Sequence, residues 1–254
     1  MIPIKSERDI EKMREACSSA ARVLDKLGLL VRPGATTGEV DEAAADYMSE
    51  ENCRSAFLGY RNFPGNICIS VNEEVVHGIG GSRRIQYGDV VKLDVGVIKN
   101  GWVGDTAKTV PVGAIKPAWS RLLAVTEDIL DRVIPKASAG RRVGDISAFI
   151  EDEVLANGYN VVREFVGHGV GRNLHEEPQI PNFGRAGTGP RLKAGMTLAI
   201  EPMVNLGGAS VRTLEDGWTV VTADNAPSAH FEHTVLITKG EAQILTWREK
   251  VLAK

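Results

Sequence analysis

Four acidic side chains stand inside apolar, strand-like runs of this chain. Asp94 lies in DVVKLDVGV (89–97), Asp105 in WVGDTAKTV (102–110), Glu201 at the end of MTLAIE (196–201) and Glu232 inside FEHTVLIT (231–238). The first two can be placed relative to each other. Asn100-Gly101 between two apolar-alternating runs is a strong signal for a two-residue hairpin. Pairing Lys99 with Trp102 sets Asp105 opposite Gly96, and Asp94, two residues from Gly96, shares that face. The two carboxylates then lie diagonally across the hairpin, roughly 7–8 Å apart at the backbone.

One aspartate on a hairpin face is ordinarily solvated. Four acids in the apolar strands of one sheet would repel one another, and each buried, unpaired charge is costly. The basic residues in these segments are Lys92 and Lys108, too few to balance the set. Divalent metal ions resolve the conflict. A nitrogen donor is available in GHGVGRNLHEEP (167–178), which holds two of the five histidines, His168 and His175. We assign His168, with glycine on both sides to let the backbone approach the metals. Four carboxylates and one imidazole, with no thiolate, suit Mn, Fe(II), Co or Zn in a pair rather than a tetrahedral structural zinc. Such pairs, about 3.5–4 Å apart, acidify a bound water and clamp a tetrahedral intermediate.

The elements that must carry these residues follow from periodicity and caps. Ser6 with Asp9 forms an N-cap pair, and Ile10, Met13, Cys17, Ala20, Leu24 and Leu27 recur at helical spacing until Arg32-Pro33-Gly34. A second helix runs from about Thr37 to Glu51. A third begins at Pro117 and ends near Ile134-Pro135, and a fourth runs from near Gly144 to Asn157-Gly158. Strands are expected in NICISV (66–71), the four acidic runs and WTVVTA (218–223). Helix pairs followed by antiparallel strands define an α+β protein. The order also repeats. VLDKLGLLVRPGATTGEVDEAAADYM (23–48) lies over ILDRVIPKASAGRRVGDISAFIEDEV (129–154), and YGDVVKLDVGV (87–97) over AGMTLAIEPMV (194–204), which places Asp94 on Glu201. Residues 1–254 therefore read as a single catalytic domain of two halves, about 1–115 and 116–254, related by a pseudo-twofold axis.

Composition narrows the function classes. A net charge of −3 with scattered basic residues gives no nucleic-acid footprint. No apolar run approaches the ~18 residues of a membrane span, and the N-terminus has no apolar leader segment. Cys17, Cys53 and Cys68 are an odd set without paired spacing, read as three buried thiols in the reducing cytoplasm.

Taken together, HGIGG (77–81), LDVGV-IKNGWVGDTAKT (93–109), GHGVGRNLHEEP, GMTLAIEPMV (195–204) and FEHTVLIT resemble the methionine aminopeptidases, in order and spacing along nearly the whole chain. The short stretch between His175 and Glu201 is similar to the compact type I form, and the lack of a zinc-finger or proline-rich extension to the bacterial one. The resemblance implies the pita-bread fold, a central antiparallel sheet flanked by helices in two pseudo-symmetric halves. It implies that Asp94 chelates one metal, that Asp105 and Glu232 bridge both, and that His168 with Glu201 completes the other. A metal-bridging hydroxide would attack the scissile carbonyl, with Glu201 shuttling a proton. His175 would hydrogen-bond that carbonyl, and His77 would lie near the scissile nitrogen. The methionine pocket would be formed by Tyr60, Phe63, Cys68 and Trp218, with Phe57 and Leu174.

Several positions depart from the family pattern. Leu174 stands where an aromatic is common, Phe63 where tyrosine is common, Val76 where cysteine is common, and Gly80-Gly81 at a frequent proline site. The implied setting is a cytoplasmic monomer acting on nascent polypeptide N-termini, with the ribosome as a further partner. A monovalent cation near Asn72 and Ser228 is also implied by analogy. Two other readings stay open: an Xaa-Pro-specific pita-bread peptidase, which usually carries a further N-terminal domain, and a catalytically silent pita-bread binding module, which typically has lost metal ligands. Taken singly, His77 and His175 would be loop histidines, with Glu176 and Glu177 solvated. His230 and His233 read as structural, with His233 pointing away from the face of Glu232.

Overall fold

In a computed structural model, which describes residues 2–247, four long helices lie against a central antiparallel sheet. Helix α1 (Glu7–Leu30) starts on a reciprocal cap in which the Ser6 hydroxyl accepts the Asp9 N–H and the Asp9 carboxylate accepts the Ser6 N–H. Met13, Cys17, Ala20, Leu24 and Leu27 form its buried stripe, while Ile10 is only partly covered. Helix α2 (Thr37–Glu50) uses Thr36 and Glu39 in the same way. Helices α3 (Pro117–Val133) and α4 (Val143–Ala156) form the second pair. All four begin and end within two residues of the positions expected from caps and breakers.

The sheet has nine strands among the described residues. Its main path runs Arg54–Ser55, Val90–Lys99, Trp102–Pro111, Glu232–Leu236, Thr197–Ile200, Gly167–Gly169 and Glu176–Ile180, with Cys68–Val71 on Val90–Lys99 and Gln243–Ile244 on Glu232–Leu236. The long hairpin has the register set by Asn100-Gly101, with Lys99 opposite Trp102 and Gly96 opposite Asp105. Leu93, Val95 and Val97 face α1 and α2 in one apolar core, and Leu198, Ile200 and Val235 face α3 and α4 in another. Each half thus covers the back of its own part of the sheet. Gly104 lets α1 sit close, since a Cβ there would lie 2.5 Å from the Ala16 backbone. The residues between these apolar ones, the acids among them, point to the opposite face.

Among the short strands that were not expected, two border the acids. Gly167–Gly169 opens the run GHGVGRNLHEEP (167–178), and Glu176–Ile180 begins at its end. Glycine lacks a side chain to pack on a pleated surface and so carries no strand signal. Its place here is forced by crowding: a Cβ on Gly167 would lie 2.5 Å from Ala199 O, and one on Gly169 2.2 Å from Glu177 O. Contrary to expectation, the close approach that these glycines permit is to neighbouring strands. No helix among the described residues is long and apolar enough to cross a membrane.

Candidate metal centre

Strand register brings the acids together. Asp94 lies opposite Cys68 on one side and Ala107 on the other, and Ala107 lies opposite Glu232. Glu201 extends this row, because Ile200 pairs with His233. The next row holds Asp105 opposite Gly96, and His168 opposite Ala199, which faces Thr234. The Thr234 hydroxyl closes this row by donating to Asp105 O at 2.7 Å. Directly opposed residues share a face, so four carboxylates and one imidazole enter one hollow. Gly96, Ala107 and Ala199 leave it open. His168 Nε2 lies 3.5 Å from Glu201 Oε1 and 3.8 Å from Asp105 Oδ2. Asp105, His168 and Glu232 are buried and offer ligand atoms within 4.8 Å of one another.

The electrostatics of this hollow call for cations. Burial holds the His168 pKa down to about 3, so its ring is neutral. Nδ1 lies 2.9 Å from Gly169 O. A carbonyl only accepts, so Nδ1 carries the hydrogen and the Nε2 lone pair faces the carboxylates, the tautomer a metal requires. Burial lifts Glu201 to about 8. It lifts Asp94 to about 7, with His230 opposing and Glu201 adding to the rise. Asp105 is raised well above the carboxylate range by burial, then by Asp94 and Glu201. Asp94 Oδ1 and Asp105 Oδ1 are buried and accept no hydrogen bond among the described residues. Hard oxygen donors, a neutral imidazole and shielded oxygens fit divalent metal.

A cavity of about 270 Å³ opens above these residues, and every residue expected at the site lines it. In its lining the Tyr60 hydroxyl lies 2.8 Å from His175 Nδ1, and the His175 ring sits 4.3 Å from that of His168. Also in the lining, the Phe63 and Trp218 rings meet edge to face at 5.1 Å, and Trp218 lies 6.2 Å from the His77 ring. His77 adopts a left-handed backbone, φ 59°, and burial lowers its pKa to about 4. Phe57 and Leu174 are buried, and Cys68 is a buried thiol whose pKa burial and Asp94 push upward. Leu174, Phe63 and Val76, the departures from the family pattern that line the cavity, keep it apolar.

The structure also adds to the site and corrects it. His230 is fully buried, and its Nε2 lies 3.5 Å from Glu201 Oε2. Its position two residues before Glu232 was the available signal, because period-2 parity puts both on one face. His233 is structural, its Nδ1 2.9 Å from the Thr246 hydroxyl. Phe165 and Met203 line the cavity without any motif to mark them. Glu176 is not solvated: Lys5 Nζ donates to it at 2.6 Å, and it accepts the Arg172 and Asn173 N–H groups. That clamp braces the loop carrying His175. Cys53 is half-buried rather than buried. At Asn72 and Ser228, the residues near which a monovalent cation is implied by analogy, both carbonyls accept from Lys92 Nζ, at 2.6 and 3.2 Å.

With this geometry in view, comparison with known proteins is consistent along the chain. The model of metallopeptidase family M24 matches residues 11–239. The methionine aminopeptidase of Clostridium perfringens is 48% identical over 97% of this chain and 99% of its own length. The crystal structure of methionine aminopeptidase from Thermotoga maritima superposes with a TM-score of 0.96 at 44% identity, covering 98% of this chain and all of that one. The prolidase of Pyrococcus furiosus, 24% identical, shares the fold alone, with a TM-score of 0.80 over 97% of this chain and 66% of that one. The α+β architecture is the pita-bread fold of these peptidases.

Proposed function

We propose that this chain, which belongs to metallopeptidase family M24, removes the initiator methionine from nascent polypeptides whose second residue is small. The observation that carries the reading is the convergence of four carboxylates and a neutral imidazole at the floor of an apolar, aromatic-walled cavity. Asp94, Asp105, His168, Glu201 and Glu232 would hold two divalent ions, Co, Mn, Fe(II) or Zn. When bound, such a pair supplies an activated water and polarises the scissile carbonyl. The chain's own groups do the rest. His175, its Nδ1 engaged by Tyr60, keeps Nε2 for the carbonyl oxygen as charge builds there. His77, held beside Phe165 and Trp218, is suited to the scissile nitrogen, and Glu201 moves a proton between the attacking water and the leaving amine.

Specificity follows from the walls. A thioether packs well against aromatic edges, and Phe57, Tyr60, Phe63 and Trp218 provide them, with Cys68 and Leu174 filling the gaps. An acidic floor also favours a free α-amine, which explains exopeptidase action. Residues 1–254 act as one catalytic domain of two halves, 1–115 and 116–254, working as a cytoplasmic monomer on chains leaving the ribosome.

The test is to strip the protein with chelator, restore Mn, Fe(II) or Co separately, and offer Met-Gly-Met and Xaa-Pro peptides. Metal-dependent methionine release confined to the first peptide is expected. Cleavage confined to Xaa-Pro peptides would assign it to the prolidase branch. Silence with every metal would make the cavity a binding module.

A further inference from the structure

His175 stands in the loop between the strands Gly167–Gly169 and Glu176–Ile180, so the aim of its ring depends on what holds that loop. Two anchors do so, one on either side of it in sequence. Leu174 is buried in an apolar cluster with Phe57 and Trp102. Glu176 is withdrawn into an ion pair with Lys5 at 2.6 Å, the two side chains only 7% and 4% exposed. The pair is tightly enclosed: a Cβ on Gly171 would lie 2.7 Å from both Lys5 Cε and Glu176 Oε1. Glu176 divides its oxygens. Oε2 accepts from Lys5 Nζ, and Oε1 accepts the Arg172 and Asn173 N–H groups at 2.9 and 3.2 Å. The loop thus closes around one carboxylate. Gly171 O in turn accepts the Val103 N–H at 2.8 Å, two residues from Asp105.

Lys5 comes from far away in the sequence. Residues 2–5 precede α1 and cross to the second half, where Ile2 packs on the core under α3 and α4 and the Lys5 N–H donates to Gly195 O at 2.8 Å. The backbone of Lys5 is therefore tied to the turn that leads into Thr197–Ile200 and Glu201, while its side chain is tied to the loop of His175. Replacing a buried ion pair by apolar groups is often neutral for stability, whereas removing one partner leaves a buried charge unmet. What such a pair adds over an apolar contact is a fixed direction.

We propose that Lys5 is a positioning residue for His175. Through Glu176 it fixes the loop so that the His175 ring, engaged at Nδ1 by Tyr60, presents Nε2 to the scissile carbonyl. The inference rests on the part given to His175 in the proposed reaction.

The experiment is a double-mutant cycle of Lys5→Met and His175→Ala in manganese-loaded protein with Met-Gly-Met, together with amide hydrogen exchange of the metal-free protein. Lys5→Met should lower kcat about ten- to a hundredfold, with KM and manganese affinity unchanged. Added to His175→Ala it should cost nothing further, because the group it aims is gone. A staple that only stabilises the fold would leave kcat of the folded variant intact, or would multiply the loss caused by His175→Ala. Either result overturns the proposal. In metal-free Lys5→Met, the Arg172 and Asn173 amides should exchange at least about tenfold faster; unchanged exchange overturns it whatever the activity. Should Lys5→Met be recovered only unfolded, Glu176→Gln, which removes the charge that Lys5 meets, takes its place with the same expectations. Absence of methionine release from wild type with every metal would count against the reaction itself, and the exchange measurement would still decide whether Lys5 holds the loop.

Discussion

Without metal, the stability contributed by Asp94 and Glu201 should be lost as pH rises from about 5 to about 8, and Asp94→Asn should return part of it. Burial lifts the Asp94 carboxyl from 3.8 to about 7 and that of Glu201 from 4.5 to about 8. The folded state therefore keeps protons that the unfolded chain has already released. Where the unfolded state binds fewer protons, the unfolding free energy falls as pH rises. The stability linked to these groups is complete below their unfolded values and is lost by the time pH passes their folded ones. At 1.36 kcal/mol per tenfold change in proton affinity, Asp94 alone accounts for roughly 4 kcal/mol at most. Asp94 and Glu201 interact and titrate together, so about 2 kcal/mol is the expected gain from Asp94→Asn at pH 8. For a chain of this size that amounts to roughly 4–8 °C in the unfolding midpoint. The assay is scanning calorimetry of chelator-treated protein at both pH values, with and without manganese. At pH 5 the exchange should change little, because Asp94 is already protonated. Manganese should raise the wild-type midpoint at pH 8 and have a much smaller effect on Asp94→Asn. A midpoint at pH 8 lowered by Asp94→Asn, or one raised equally at pH 5 and pH 8, would refute the reasoning.

Three further outcomes are expected. Asp105→Asn should cut metal-dependent peptide hydrolysis by more than about a hundredfold, beyond the usual loss from a merely supporting partner, with circular dichroism unchanged. Full activity would remove Asp105 from the site. Tyr60→Phe deletes the hydroxyl 2.8 Å from His175 Nδ1 and should lower kcat about tenfold, the worth of one hydrogen bond. Metal affinity measured by calorimetry should stay unchanged, and an equal loss in both would show that Tyr60 acts on the metals. Gly96→Ala places a Cβ 2.3 Å from the Phe57 ring. Overpacking of this kind costs about 1–3 kcal/mol, so it should raise KM for methionyl peptides about tenfold by driving Phe57 into the pocket. Unaltered KM would mean that Phe57 does not border the bound methionine.

How far the chain could be read depended on whether a local signal carried long-range consequences. Asn100-Gly101 did, because a two-residue hairpin dictates every pairing along both strands. The diagonal placement of Asp94 and Asp105 was therefore legible from spacing alone. The helices were equally open to reading, since their caps and stops are local. The strand of His168 was not, because its glycines answer to the backbones of Ala199 and Glu177, which lie in other strands. Glu176 looked solvated for a similar reason: its partner, Lys5, is at the far end of the sequence. His230 was set aside because it lies outside the recurring motifs, although parity with Glu232 was available. Lys92 was noted only as one of too few basic residues. Nothing in DVVKLDVGV tells a lysine that reaches solvent from one that ends on two carbonyls.

The pseudo-symmetry of the halves explains why the cluster is nevertheless lopsided. Alignment of the two hairpin-edge segments that places Asp94 on Glu201 also places Lys92 on Ala199. Both positions occupy the same face of equivalent strands, and each is paired with an outer strand: Lys92 with Ser70, Ala199 with His168. In the second half, small Ala199 leaves the face open, so His168 can turn its lone pair toward Asp105 and Glu201. In the first half the long lysine fills that space, and the small residue is Ser70 on the outer strand. On the side of the second half the hollow therefore stays open, while in the first half the equivalent space is filled by the buried lysine side chain. Pro202, which aligns with Val95, deepens the difference by ending its strand and passing the chain to the sheet that holds His230. A duplicated frame can thus yield acids from both halves but nitrogen donors from one, and the outcome is decided by which member of each cross-strand pair is small.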